Sequence, residues 1–211
     1  LGKYERAIED YNKAIELDPE DHSAYANRGN SYHALGKHER AIEDYDKAIE
    51  LDPENASTYG NRGNSYDSLG KYERAIEDYD KAIELDPEDS ITYSNRGVSY
   101  YSLGDKKKAI EDQNKAVEID PSNVNALLNK AEFNLLIGNH NQALSDVSEA
   151  YELADDTDNI AKSLMIKIIS KTVVDKPTDG LEKEYREVCK KEFVTTWSFS
   201  ELKNYLSETK L

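Results

Sequence analysis

The sequence predicts an all-α chain built as an array of antiparallel helix pairs, and three observations carry that reading. The first is internal repetition. LGKYERAIEDYNKAIELDPED starts at Leu1, LGKHERAIEDYDKAIELDPEN at Leu35, LGKYERAIEDYDKAIELDPED at Leu69 and LGDKKKAIEDQNKAVEIDPSN at Leu103, at a constant spacing of 34 residues. A fainter copy, IGNHNQALSDVSEAYELADDT, starts at Ile137 in the same register. The second is the placement of small and apolar residues three and four apart within each unit, which is the helical period. The third is composition: of 211 residues, 37% are hydrophobic and 33% charged. A repeat array needs fewer apolar residues than a globular core, because each unit buries surface only against its neighbours. Tyr numbers 15 against Phe 3 and Trp 1, and a ring with a polar tip suits half-buried positions.

Each unit reads as two helices. Asp21, Asn55, Asp89 and Asn123 follow a proline-containing turn and suit the N-cap of a first helix. That helix carries Tyr25, Gly29 and Tyr32 in one unit and Tyr59, Gly63 and Tyr66 in the next, on one face. It ends at Gly36, Gly70, Gly104 or Gly138, a residue that tolerates the left-handed C-terminal turn. The second helix carries Ala41, Tyr45, Ala48 and Leu51 on one face and stops at Pro53, as its siblings stop at Pro19, Pro87 and Pro121. The boundaries are a half repeat over 1–21, repeats over 22–55, 56–89 and 90–123, and a degenerate repeat over 124–157, together an array over 1–157.

The remainder, 158–211, reads as a degenerate fifth hairpin and a C-terminal capping helix. Asp158 to Val174 is another first helix with Ile160, Leu164, Ile168 and Ile169 apolar. A turn at Pro177–Gly180 leads to a charged helix from Leu181 to about Phe193. A last helix follows Ser198, where Ser198 and Glu201 make a capping box and Trp197 and Leu202 a hydrophobic staple. Trp197 and Phe199 are expected to pack onto the end of the array, because terminal repeats must close the core against water.

Aromatic, glycine and aromatic on the first helix, then alanine, aromatic, alanine and proline on the second, is a pattern that resembles the tetratricopeptide repeat over about three quarters of the chain. The resemblance implies a right-handed superhelical solenoid whose first helices line a concave groove, where extended peptides or partner helices bind. Gly29, Ala41 and Ala48 then stand where helices cross closely.

The chain departs from the family pattern before the first-helix glycine. There the family usually has leucine, and here Arg28, Arg62, Arg96 and Lys130 stand instead. Sixteen residues later come Asp44, Asp78, Asp112 and Asp146, so an antiparallel hairpin predicts an ion pair within each repeat. The other departure is decay toward the C-terminus: Ala131 replaces the glycine, Leu127 and Asn134 the tyrosines, and Asp155 the proline.

Composition and motifs exclude several function classes. A formal net charge of -16 opposes nucleic-acid binding, which needs clustered Lys and Arg. No apolar run reaches the length of about 18 residues that a membrane span needs. Cys189 stands alone, so no internal disulfide and no CxxC metal pair is expected, which fits a reducing, cytoplasmic setting. The chain begins inside a repeat, which predicts further residues upstream. His22, His33, His38 and His140 lack a second ligand at metal spacing, and His38 and His140 take a place held by Tyr4 and Tyr72, as packing substitutions. The carboxylates recur with the repeat, whereas a catalytic pair needs one special environment. No phosphate-binding glycine loop or nucleophile elbow is present. No catalytic residue, metal or cofactor is expected.

Transferred by position, the groove of the family is lined by Asn27, Asn61, Asn95 and Asn129; by Asn30, Asn64, Val98 and Glu132; by Ala26, Gly60, Ser94 and Leu128; and by His33, Asp67, Tyr101 and Leu135. An amide both donates and accepts, so an asparagine column can pair with the backbone of any extended peptide. Such a ladder resembles the one along the repeat superhelix of the O-linked N-acetylglucosamine transferases. The candidate peptide-binding residues are therefore Asn27, Asn30, Asn61, Asn64, Asn95, Asn129 and Tyr101. The carboxylate clamp by which some relatives hold acidic chaperone tails is not reproduced, since Ala26, Ile91 and Asn95 hold its cationic places. The expected function is a non-catalytic scaffold for a partner protein or an extended peptide segment. The alternatives are a non-catalytic segment of a larger enzyme or sensor, and a self-assembly module. The last would use the helix Lys3–Leu17, whose Ala7, Tyr11 and Ala14 form an apolar stripe without a first-helix partner.

Overall fold

The computed structural model describes residues 2–173 and Gly180. Its order is α1 (Gly2–Leu17), α2 (His22–Ala34), α3 (His38–Leu51), α4 (Ala56–Ser68), α5 (Tyr72–Leu85), α6 (Ser90–Ser102), α7 (Lys106–Ile119), α8 (Val124–Leu136), α9 (His140–Leu153) and α10 (Thr157–Val173). No strand occurs among the described residues, and none of their helices is long and apolar enough to cross a membrane. The expected helix from Asp158 is α10. The expected charged helix from Leu181, the helix after Ser198 and the packing of Trp197 and Phe199 lie outside the described residues.

The helix ends form for the reasons the sequence supplies. Asp21 accepts from Ser23 N and Ala24 N, Asn55 from Thr58 N, Asp89 from Ile91 N and Asn123 from Ala126 N, so the predicted caps are the observed ones. At the end of α4, Gly70 has φ +70°. Its N–H donates to Asp67 O at 2.8 Å, and Lys71 N donates to Tyr66 O at 2.9 Å. That pair of bonds is the Schellman arrangement, which needs the left-handed residue that glycine provides. The second helices stop differently. Asp52 N still reaches Ala48 O, then the Asp52 carboxylate accepts from Glu54 N at 3.2 Å across Pro53, which has no N–H to continue the ladder.

The chain forms two compact units, one up to Ala109 and one from Ile110. In the first, each of α1 to α5 packs on the next, and the first helices also touch across repeats, α2 on α4 and α4 on α6. Arg62 meets Asp78, while Tyr66, four residues after Arg62, lies under Arg74, four residues before Asp78, so the contact positions run in opposite directions and the hairpin is antiparallel. Its close approach depends on glycine. A Cβ on Gly63 would stand 2.7 Å from Tyr79 Cε1, and one on Gly29 would stand 2.7 Å from Tyr45 Cε1. The two tyrosine rings fill those notches and are almost fully buried, each a side chain whose burial contributes about 1.5–3 kcal/mol.

Three of the four predicted ion pairs are present and are largely shielded from solvent. Arg28 grips Asp44 through Nε at 2.8 Å and Nη2 at 2.6 Å, Arg62 grips Asp78 with the same two distances, and Lys130 reaches Asp146 at 3.2 Å. Asp44, Asp78 and Asp146 are buried. Burial raises the Asp78 pKa, against the pull of the Arg62 guanidinium. Arg28 is raised above its ordinary value by its bond to Asp44. Arg96 belongs to the first unit and Asp112 to the second, so their pairing stays an expectation. The structure adds a partner that the repeat logic did not name. Arg62 Nη1 also donates to Asp46 at 2.7 Å, Arg96 Nη1 to Asp80 at 2.6 Å and Arg28 Nη1 to Asn12 at 2.7 Å, each partner lying on the second helix of the preceding repeat. Each of these guanidiniums also lies over a tyrosine, Arg62 over Tyr59 at 5.6 Å.

In the second unit α8, α9 and α10 pack on one another. Their core joins Leu127, Leu128, Ala131 and Leu135 of α8, Ala143, Val147 and Ala150 of α9, and Met165, Ile166 and Ile169 of α10. It is aliphatic where the first unit is built on tyrosine.

Candidate functional site

The first-helix face of the first unit holds a polar cavity of about 340 Å³. It lies where α2, α4 and α6 come together, and its lining includes His33, Asn64, Asp67, Ser68, Asn95 and Val98, with Tyr79 reaching in from α5. The groove columns read from the sequence thus meet here: Asn95 from one column, Asn64 and Val98 from a second, His33 and Asp67 from a third.

Asn64 organises one side. Its Oδ1 accepts from the Tyr79 hydroxyl at 2.8 Å and from Asn95 Nδ2 at 2.9 Å. Both lone pairs of that oxygen are used, which leaves the Asn64 amide hydrogens and the Asn95 Oδ1 as open donors and acceptor. In the preceding repeat Asn30 accepts from the Tyr45 hydroxyl at 2.8 Å, so the asparagine–tyrosine bond is a repeated feature of the hairpin. Burial pushes both tyrosine hydroxyls above their ordinary pKa, and they stay neutral donors at any working pH.

A second repeated contact crosses between hairpins. His33 Nδ1 meets Ser65 Oγ at 2.8 Å, and the Ser99 hydroxyl donates to Asp67 Oδ1 at 2.5 Å. One side chain near the end of α2, and one near the end of α4, thus meets a buried serine on the next first helix. The His33 pKa is lowered by burial and by His38, whose ring centroid lies 4.9 Å away, so the ring is neutral near pH 7. The Asp67 pKa is raised by burial, which the Ser99 hydroxyl partly offsets.

The remaining candidates are placed apart from this cavity. The side-chain amides of Asn27, which is exposed, and Asn61, which is half-buried, make no hydrogen bond among the described residues. Only their backbone carbonyls are engaged, by the Ser31 and Ser65 hydroxyls. Asn95 differs from them, since its amide is committed to Asn64. Tyr101 is half-buried near the end of α6, and Asn129 is half-buried on α8 in the second unit. His33, Asp67, Ser68, Tyr79 and Val98 are cavity residues outside the candidate binding set; His33, Asp67 and Val98 stood in the groove columns, whereas Ser68 and Tyr79 did not. Asp67 and Ser68 were marked in the sequence, because the repeats over 22–55 and 56–89 are identical from Glu39 to Glu54 and from Glu73 to Glu88, yet differ where His33 and Ala34 become Asp67 and Ser68. Among the described residues no cluster of His, Cys, Asp or Glu could hold a metal ion.

Comparison with known proteins agrees with this architecture. A model of the Tetratricopeptide repeat matches residues 56–89 and 90–123, and a TPR repeat model matches residues 1–36 and 29–70. No curated protein matches in sequence. Among solved structures, YrrB, a TPR protein with an unusual peptide-binding site, is 25% identical with a TM-score of 0.65, over 86% of this chain and 91% of that one. The first TPR of Spaghetti (RPAP3), bound to the HSP90 peptide SRMEEVD, is 27% identical with a TM-score of 0.55, over 57% of this chain and 96% of that one. PilF of Pseudomonas aeruginosa, at 22% identity, shares the fold with a TM-score of 0.77 over 90% of this chain and 84% of that one. With capped helix pairs at a fixed period, glycine notches filled by tyrosine and family models matched through residue 123, this chain belongs to the tetratricopeptide-repeat proteins.

Proposed function

We propose that the chain is a non-catalytic scaffold that holds an extended peptide segment of a partner protein on its first-helix face. The family is generally one of interaction repeats, and neighbours of the same fold bind peptides. The observation that carries the reading is the polar cavity between α2, α4 and α6, where Asn64 and Asn95 keep hydrogen-bonding capacity after satisfying each other. Asn27 and Asn61 extend that surface with uncommitted amides, and Asn129 and Tyr101 are further contacts. Each neutral hydrogen bond to a peptide backbone contributes about 0.5–1.5 kcal/mol net. The single cysteine suits work in a reducing compartment such as the cytoplasm.

The test uses linear peptides selected from a random phage-displayed library on the intact chain. Replacing Asn27 and Asn61 together with alanine is expected to weaken the selected peptides about tenfold, or about 1.4 kcal/mol, with unchanged melting. Affinity that survives this change but disappears in moderate salt would place the contact on the acidic outer wall and overturn the proposal. A self-association reading rests on α1, where Tyr4 and Leu17 are exposed. Light scattering that shows a monomer at high concentration would dismiss it.

A further inference from the structure

Asp67 stands apart from the other enclosed carboxylates with described partners. Asp44, Asp78 and Asp146 each face a basic side chain at 2.6–3.2 Å. Asp67 has the Ser99 hydroxyl and no cation among the described residues. A half-buried carboxylate without a counter-ion is costly to keep ionised, and such a cost persists where something outside the fold repays it.

The fold itself does not require the charge. The same inter-repeat contact is made one repeat earlier by His33 on Ser65, with a side chain that is neutral near pH 7. The next repeat has Tyr101 at this place and the one after it Leu135. Asp67 is therefore the one acidic member of a column that otherwise holds His33, Tyr101 and Leu135, and it opens into the cavity beside the free Asn95 oxygen and the Ser68 hydroxyl. The Ser68 hydroxyl donates its proton to Asn64 O at 2.9 Å, so toward the cavity it offers lone pairs. Beside Asp67 the Asn95 oxygen and the Ser68 hydroxyl are acceptors, a set that suits a donor carrying positive charge, while the open Asn64 amide hydrogens can meet a peptide carbonyl.

We infer that Asp67 is the docking point for a lysine or arginine side chain of the bound peptide, with Asn95 Oδ1 and Ser68 Oγ taking its remaining N–H groups. This rests on the peptide-binding reading above. It gives the site a sign: the cavity selects basic segments and turns away acidic ones. The peptide SRMEEVD held by the first TPR of Spaghetti is of the opposite kind. The raised pKa of Asp67 agrees with a carboxylate waiting for a counter-ion.

The experiment measures selected library peptides against the wild-type chain, against Asp67→Asn, which keeps an oxygen for Ser99, and against the Asn27→Ala, Asn61→Ala pair. Peptides that depend on Asn27 and Asn61 are expected to share a Lys or Arg, to lose at least tenfold in affinity on Asp67→Asn, and to lose nothing further when that basic residue is itself replaced by norleucine. Peptides that depend on the asparagines yet lack a basic residue, or bind Asp67→Asn as tightly as wild type, overturn the cation site and leave the scaffold reading standing. Selected peptides indifferent to the asparagines and to Asp67 overturn both. Arginine-bearing peptides that bind Asp67→Asn normally but fail in moderate salt would assign the attraction to the outer acidic wall and also overturn the cation site.

Discussion

The α4–α5 hairpin and the α8–α9 hairpin occupy equivalent places in the repeat and meet the same demands with different atoms. In the first, Gly63 leaves a notch that the buried Tyr79 ring fills. In the second, Ala131 and Val147 stand at those positions, both fully buried, so a methyl is gained on one helix as a ring is lost on the other. The carboxylate shows the same exchange. Asp78 receives two bonds from one guanidinium. Asp146 receives one from Lys130 at 3.2 Å, one from Gln142 Nε2 at 2.8 Å and one from Asn134 Nδ2 at 3.1 Å. Asn134 is oriented in turn by Asn139. The repeat therefore conserves a filled volume and a satisfied carboxylate rather than particular residues, and the substitutions that look like decay in the sequence come in compensating sets.

The largest expected effect tests the carboxylates. Asp78→Ala leaves the largely buried Arg62 with the exposed Asp46 and the Tyr59 ring as its remaining contacts, and urea unfolding should show a loss of about 3 kcal/mol. Asp146→Ala should cost less, because the lysine stem can carry its charge to water. Equal losses at the two sites would remove the distinction between the rigid fork and the flexible arm.

Next comes the volume exchange. Gly63→Ala pushes a methyl against Tyr79 and should destabilise by about 2 kcal/mol in thermal or urea unfolding. Adding Tyr79→Val recreates the α8–α9 solution, and the two changes should couple favourably by about 1 kcal/mol or more. Strict additivity would mean that the α8–α9 pair is not a compensated packing.

The smallest expected effect concerns the cavity. Asp67→Asn should leave stability unchanged or raise it by about 0.5 kcal/mol or less, because the amide keeps an acceptor for Ser99 and removes a charge that has no counter-ion among the described residues. The sign follows from the raised pKa of Asp67: its ionised form costs the folded state. The gain should be present at neutral pH and fade as pH falls from the raised value to the ordinary carboxylate range, where wild-type Asp67 takes up a proton. A marked loss of stability at neutral pH would instead make Asp67 a structural group.

The repeat period, the helix caps at Asp21, Asn55, Asp89 and Asn123, and the arginine–aspartate pairing were legible because each follows from a local rule applied at a fixed spacing. The second arm of each arginine was not legible. Asn12, Asp46 and Asp80 are reached only across a hairpin interface, whose depth and tilt no spacing encodes. In the candidate site, the asparagine columns led to α2, α4 and α6, the first helices whose side chains line the polar cavity. Which amides are already spent was hidden, because that depends on Tyr79 and Asn95 both turning toward one oxygen of Asn64. Asp67 could have been found by subtracting one repeat from the next, since the copies match along the second helix and diverge at this place on the first.

The doubly bound arginines also govern how the array comes apart. Arg62 holds Asp78 in its own hairpin and Asp46 in the one before it, so neither hairpin can melt without removing a ligand from a guanidinium the other still uses. Loss of order must therefore travel from repeat to repeat as a linked front, its advance tied to these shared cations. At the N-terminal side the second arm of Arg28 meets the neutral Asn12 instead of a carboxylate. The linkage there is weaker, so α1 is held to α2 less firmly than α3 is to α4.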